Sequence, residues 1–61
     1  MKREDFTPFL RRKVRLTLKA NNYFYTGTIT SVNDTSFAFT DKFGKDFKFS
    51  FDAISVVEAM P

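Results

Sequence analysis

Val14, Leu16 and Leu18 alternate with Arg15, Thr17 and Lys19 in a strict period of two. Successive side chains of a strand point to opposite faces, so the pattern predicts a half-buried first strand over 14–19. A longer second strand runs from Tyr23 to Val32, with Tyr23, Tyr25, Gly27 and Ile29 on one side and Phe24, Thr26, Thr28 and Thr30 on the other. Glycine weakens a flat strand, so Gly27 marks a sharp bend or a close approach of backbone. The third strand spans Phe37 to Asp41 with Phe37 and Phe39 inward. In the fourth, Asp46 to Phe51, three rings (Phe47, Phe49, Phe51) share one face and Lys48 and Ser50 the other. A short fifth strand covers Ile54 to Val57.

The breaks between these runs carry turn chemistry. Asn21-Asn22 suits a hairpin bend, because asparagine tolerates positive φ. Asn33-Asp34-Thr35-Ser36 reads as a tight polar turn, and Asp41-Lys42-Phe43-Gly44 as a turn with glycine late. Asp52-Ala53 leaves a minimal link to the fifth strand. Ahead of the strands, 4–12 reads as a short helix. Thr7 before Pro8 is a start signal, and Asp5 is a rival cap. Phe6, Phe9 and Leu10 would share a face lying on the open end of a barrel. Arg11-Arg12-Lys13 would then fill the last turn, where cations complement the helix dipole. The sum is an all-β fold: one domain over 1–61, a helix at 4–12 and a small, strongly bent antiparallel barrel of five strands at 14–58.

Composition sharpens this reading. Sixty-one residues bury a limited core, worth about 3–5 kcal/mol before other support. No Cys and no His are present, so disulfides and a Cys/His zinc site are excluded. Association with other copies is the remaining common route to stability. Nine Phe and two Tyr must fill most of the core. Tyr23, Tyr25, Phe37, Phe39, Phe47, Phe49 and Phe51 are assigned there, and Phe24 and Phe43 are the aromatics placed outside by parity and position. No long apolar run suggests a leader or a membrane span, so a soluble cytoplasmic protein is expected.

Net charge is +3 and uneven. Up to Lys19 the chain carries Lys2, Arg3, Arg11, Arg12, Lys13, Arg15 and Lys19 against Glu4 and Asp5; beyond it, acids outnumber bases. One basic end on a near-neutral barrel suits a polyanion. Catalysis has no support: no Ser/His or Cys/His pair can be built, and two glycines make no phosphate loop. Asp34, Asp41 and Asp46 lie near turns, where aspartate commonly bonds its own backbone. Neither a cofactor nor a metal is expected.

Phe9-Leu10-Arg11-Arg12 resembles the end of the N-terminal helix in the bacterial Hfq branch of the Sm-like superfamily. Val14, Leu16 and Leu18, followed by Tyr25, Gly27 and Ile29, resemble the first Sm motif, with its glycine in a bent second strand. Ala53-Ile54-Ser55 with Val57 resembles the short link and fifth strand of Hfq. The resemblance covers nearly the whole chain and implies an SH3-like (Sm-like) barrel whose copies close into a ring. It further implies single-stranded RNA as ligand, and an interface where the fourth strand of one copy pairs with the fifth of the next, through Phe49, Phe51, Ile54 and Val56. Two positions depart from the family. Thr35 stands where the family carries a base-stacking aromatic. Phe51-Asp52 stands where Sm proteins have Arg-Gly and Hfq has Lys-His.

The candidate RNA contacts are Arg11, Arg12, Lys13 and Arg15 for phosphates, and Asn33, Asp34, Thr35 and Ser36 for bases. Lys42, Lys45 and Lys48 around the second hairpin would add to a positive rim. Exposed Phe24 or Phe43 could stack on a base. The alternative is a protein-interaction or structural SH3-like barrel without RNA pockets, which the two departures favour. A small SH3-like module of the translation apparatus is a third reading.

Overall fold

A computed structural model describes residues 1–60. Helix α1 (Arg3–Phe6) leads into a 3₁₀ turn (Thr7–Phe9) and then into β1 (Lys13–Leu18), β2 (Phe24–Val32), β3 (Ser36–Asp41) and β4 (Asp46–Ser50). A second 3₁₀ turn (Phe51–Ala53) joins β4 to β5 (Ile54–Ala59). The five strands form one antiparallel sheet in the order β4-β3-β2-β1-β5.

That order forces the sheet to curl. The outermost strands are four spacings apart, about 19 Å across a flat sheet. The link from Ser50 to Ile54 reaches roughly 14 Å even when fully extended, and it is coiled into a 3₁₀ turn. The sheet must therefore wrap to bring β4 toward β5, and the molecule measures 25 × 24 × 21 Å. β4 and β5 do not pair with each other, so the curled sheet keeps two open edges.

Two irregularities in the ladder help the wrapping. In β2, Ile29 pairs with Phe39 but Ser31 pairs with Ala38, leaving Thr30 as an extra, exposed residue. This bulge shifts the inward phase from Ile29 to Val32. A second bulge lets Thr17 oppose Val56 while Leu18 opposes Ile54. The extra Ser55 hydroxyl donates to the Thr17 carbonyl at 3.3 Å. Gly27 is a close-approach glycine. A Cβ there would land on the Thr40 carbonyl oxygen and 2.7 Å from Asp41 Cα.

Inside the curl, Phe6, Val14, Leu16, Ile29, Phe37, Phe39, Phe51 and Ile54 are buried. Phe6 drops from α1 onto two rings, 4.6 Å from Phe37 and 5.0 Å from Phe51. Each fully buried Phe stabilises the fold by about 1.5–3 kcal/mol. A second aromatic cluster is only half-buried: Tyr25 lies 5.2 Å from Phe47 and 5.7 Å from Phe49. The helix thus covers one aromatic group and leaves the other partly open.

Three sequence expectations are corrected. The helix does not run over 4–12; α1 ends at Phe6. Pro8 has no N–H to continue the α ladder, so the chain tightens into a 3₁₀ turn closed by Leu10 N–H to Thr7 O. Lys2, not Thr7 or Asp5, holds the N-cap, and Asp5 bonds back to the Lys2 N–H at 2.7 Å. Second, Arg11-Arg12-Lys13 therefore lies beyond the helix, not in its last turn. Third, Tyr23 is not core: it is 63% exposed and sits just before β2. Its N–H is taken by the Asn21 side chain in a turn completed by Asn22 at φ 58°. The other turn glycine, Gly44, has φ 83°. No helix among the described residues is long and apolar enough to cross a membrane.

Candidate nucleic-acid interface

The basic segment between the 3₁₀ turn and β1 is shaped by its backbone. Arg11 adopts φ 63°, rare for a residue with a side chain. Its N–H donates to the Ile29 carbonyl at 2.7 Å, next to the β2 bulge, where Leu10 and Ile29 form a parallel bridge. Met60 N–H donates to the Lys13 carbonyl at 2.9 Å, fixing the far end of the segment. The backbone is held on both sides, and the side chains of Arg11, Arg12 and Lys13 are exposed. Among the described residues the ion pairs are Arg3–Asp34 and Arg15–Glu58, so these three cations have no carboxylate partner. Three adjacent cations on a fixed backbone concentrate positive charge at this point of the surface.

Arg15 behaves differently. It stands across from Thr26 on β2 and Glu58 on β5. Its guanidinium donates to Glu58 at 3.0 Å and lies 5.2 Å from the Phe24 ring centre. Its Nε is buried without an acceptor. The side chain is occupied in tying three strands together on the outer face of the sheet, although an exposed pair of this kind contributes only about 0–1 kcal/mol.

The loop between β2 and β3 is a closed polar turn, with Asn33 N–H donating to Ser36 O at 2.8 Å. Asn33, Asp34 and Thr35 are exposed, and Ser36 is half-buried at the start of β3. Arg3 donates to Asp34 at 2.8 Å, so this loop is joined to α1. The basic segment is instead joined to β2 at Ile29. Of the other turn acids, Asp41 accepts the N–H groups of Phe43 and Lys45 at 2.9 and 2.8 Å, and Asp46 accepts the Thr40 hydroxyl at 2.7 Å. Among the described residues, no group of three or more acidic, His or Cys side chains is placed to hold a metal ion.

The four residues expected at a copy–copy interface divide. Phe51 and Ile54 are buried, their side chains committed to the core of their own chain. Phe49 is half-buried in the open aromatic cluster, and Val56 is 42% exposed. What the two segments share is position: β4 and β5 are the edge strands.

A further feature gathers where β2 begins beside the β3–β4 hairpin. Phe24 is 64% exposed and Phe43 84%. With Tyr25, Thr26, Asp41 and Lys42 they line a cleft of about 380 Å³. Lys42 Nζ lies 5.3 Å from the Phe43 ring centre, and Lys45 Nζ 5.5 Å from that of Phe47. Strand parity and turn position mark Phe24 and Phe43 as outward in the sequence. Their meeting in one cleft follows the β2–β3 register, in which Lys42 N–H donates to the Thr26 carbonyl at 2.8 Å, a pairing that parity does not convey. In comparisons with known proteins, no family model, no curated protein and no solved structure matches this chain.

Proposed function

We propose that the chain is a non-catalytic RNA-binding protein of the Sm-like class, acting as one subunit of a homo-oligomeric ring that holds single-stranded RNA. The observation that carries this reading is the run Arg11-Arg12-Lys13, exposed, fixed in backbone and without a carboxylate partner among the described residues. Such a run attracts phosphates, and two arginines offer planar forks of donors for them. Supporting the ring are the two open edges, β4 at one end of the sheet and β5 at the other. Head-to-tail pairing of β4 with the β5 of a second copy would satisfy both and close on itself. The Asn33–Ser36 loop would contribute polar groups to bases beside these phosphate contacts.

A second reading, a protein-interaction or structural barrel, is favoured by the engagement of Asp34 with Arg3 and of Arg15 with Glu58. A filter-binding titration with oligo-U and oligo-A at two salt concentrations separates the two. RNA binding gives micromolar affinity at low salt that falls steeply as salt rises. Arg11→Ala with Arg12→Ala should lower affinity and flatten the salt slope by about 1.4, the release expected for two phosphate contacts on a single strand. No binding at low salt would leave the structural reading.

A further inference from the structure

Two phenylalanines in water on a chain this small call for an account. Phe24 and Phe43 are the most exposed of the nine Phe, and each has a cation beside its ring. Exposed aromatic surface loses the stabilisation that burial would bring, and the barrel gains no packing from either ring. Neither is isolated: both border the same cleft, with Thr26 on the same side of β2 as Phe24. The single carboxylate in the lining, Asp41, already accepts two backbone N–H groups of its own turn. The cation in the lining, Lys42, has no carboxylate partner among the described residues. The surface therefore combines flat apolar rings with free positive charge, which fits a ligand that is planar, aromatic and anionic.

We propose that this cleft is a base-stacking site for unpaired nucleotides. The inference rests on the RNA-binding reading and adds a second contact surface to it, apart from the basic segment and from the Asn33–Ser36 loop. One base stacks on Phe24 and a neighbouring base on Phe43. Each cation flanks its ring on one side and leaves most of the ring open. Lys42 faces the phosphate that joins the stacked nucleotides. Stacking of this kind tolerates any base, because every base has a π face. The site thus supplies affinity without sequence preference, in place of the aromatic that Thr35 does not provide.

The test uses the full chain, fluorescence anisotropy, and three labelled probes of about twelve nucleotides: oligo-U, oligo-A, and an abasic strand with the same sugar-phosphate backbone. The expected result is that both base-containing probes bind about tenfold or more tighter than the abasic strand. Phe24→Leu with Phe43→Leu should erase that difference, whereas Phe24→Tyr with Phe43→Tyr should keep it. Leucine retains apolar bulk and removes the π face; both positions are exposed, and a thermal melt confirms that the variants fold. If the leucine variant keeps wild-type affinity, or if the abasic strand binds as well as the others, the stacking site is wrong and RNA binding stands. If wild type binds none of the probes, the RNA reading and the stacking site fall together, and the exposed rings belong to a protein partner.

Discussion

Gly27 stands opposite Asp41 in the β2–β3 register, and a single methyl group there collides with backbone rather than with a movable side chain. Overpacking of this sort costs about 1–3 kcal/mol, and more when backbone must shift. Against a total of about 3–5 kcal/mol for a domain of this size, Gly27→Ala should leave much of the population unfolded at room temperature. Circular-dichroism melts would register this as a fall in midpoint of ten degrees or more, on the order of 4–8 °C per kcal/mol. A midpoint equal to the parent's would remove the close approach. The sequence announced this position through a glycine in the middle of an alternating strand, and it announced Asn22 and Gly44 through ordinary turn chemistry. It did not announce Arg11. That residue's positive φ follows from a hydrogen bond to Ile29, eighteen positions away, and no local preference of arginine points to it.

Among the elements, the strands were the most readable part, because alternation is a direct image of a two-faced sheet. Their limits moved by one or two residues, and β5 extends to Ala59. The β2 bulge left a trace that alternation alone passes over: Ile29 and Val32 are three apart, yet both face the core side. The helix was the least readable element. Thr7-Pro8 reads as a start signal, whereas in the structure Pro8 stands where α1 has given way to the 3₁₀ turn. Phe6→Ala would remove the ring that stacks on Phe37 and Phe51 and should cost about 3–5 kcal/mol. A denaturant titration should then find no folded baseline. A variant with an unaltered unfolding midpoint would show that α1 is dispensable to the core.

At the scale of the whole molecule, the proposed function rests on the sheet edges and the surface charge. Strand order was legible for the first four strands, since hairpin-length turns pair consecutive strands, whereas the short Asp52-Ala53 link gave no sign that β5 pairs with β1. The candidate site was legible only in part: among the described residues Arg11, Arg12 and Lys13 are exposed and make no ion pair, while Arg15 and Asp34 are engaged by Glu58 and Arg3. Those partners lie forty-three and thirty-one residues away, beyond any local pattern. Assembly has its own test. Val56→Lys alters a side chain already 42% exposed on the β5 edge, so the subunit should fold while its native mass drops from oligomer to monomer. A wild-type mass equal to one chain, measured at high concentration, would remove the ring. A further consequence follows from the pairing of β1 with β5. Strand β1 is made early, yet Val14 is matched with Ala59 and Leu16 with Val57. During synthesis the first strand waits, half-partnered, until the final one leaves the ribosome. Contacts so distant along the chain slow folding and leave apolar residues open to capture in the meantime. Closure of the β1–β5 pair across the length of the chain is therefore the step that paces folding.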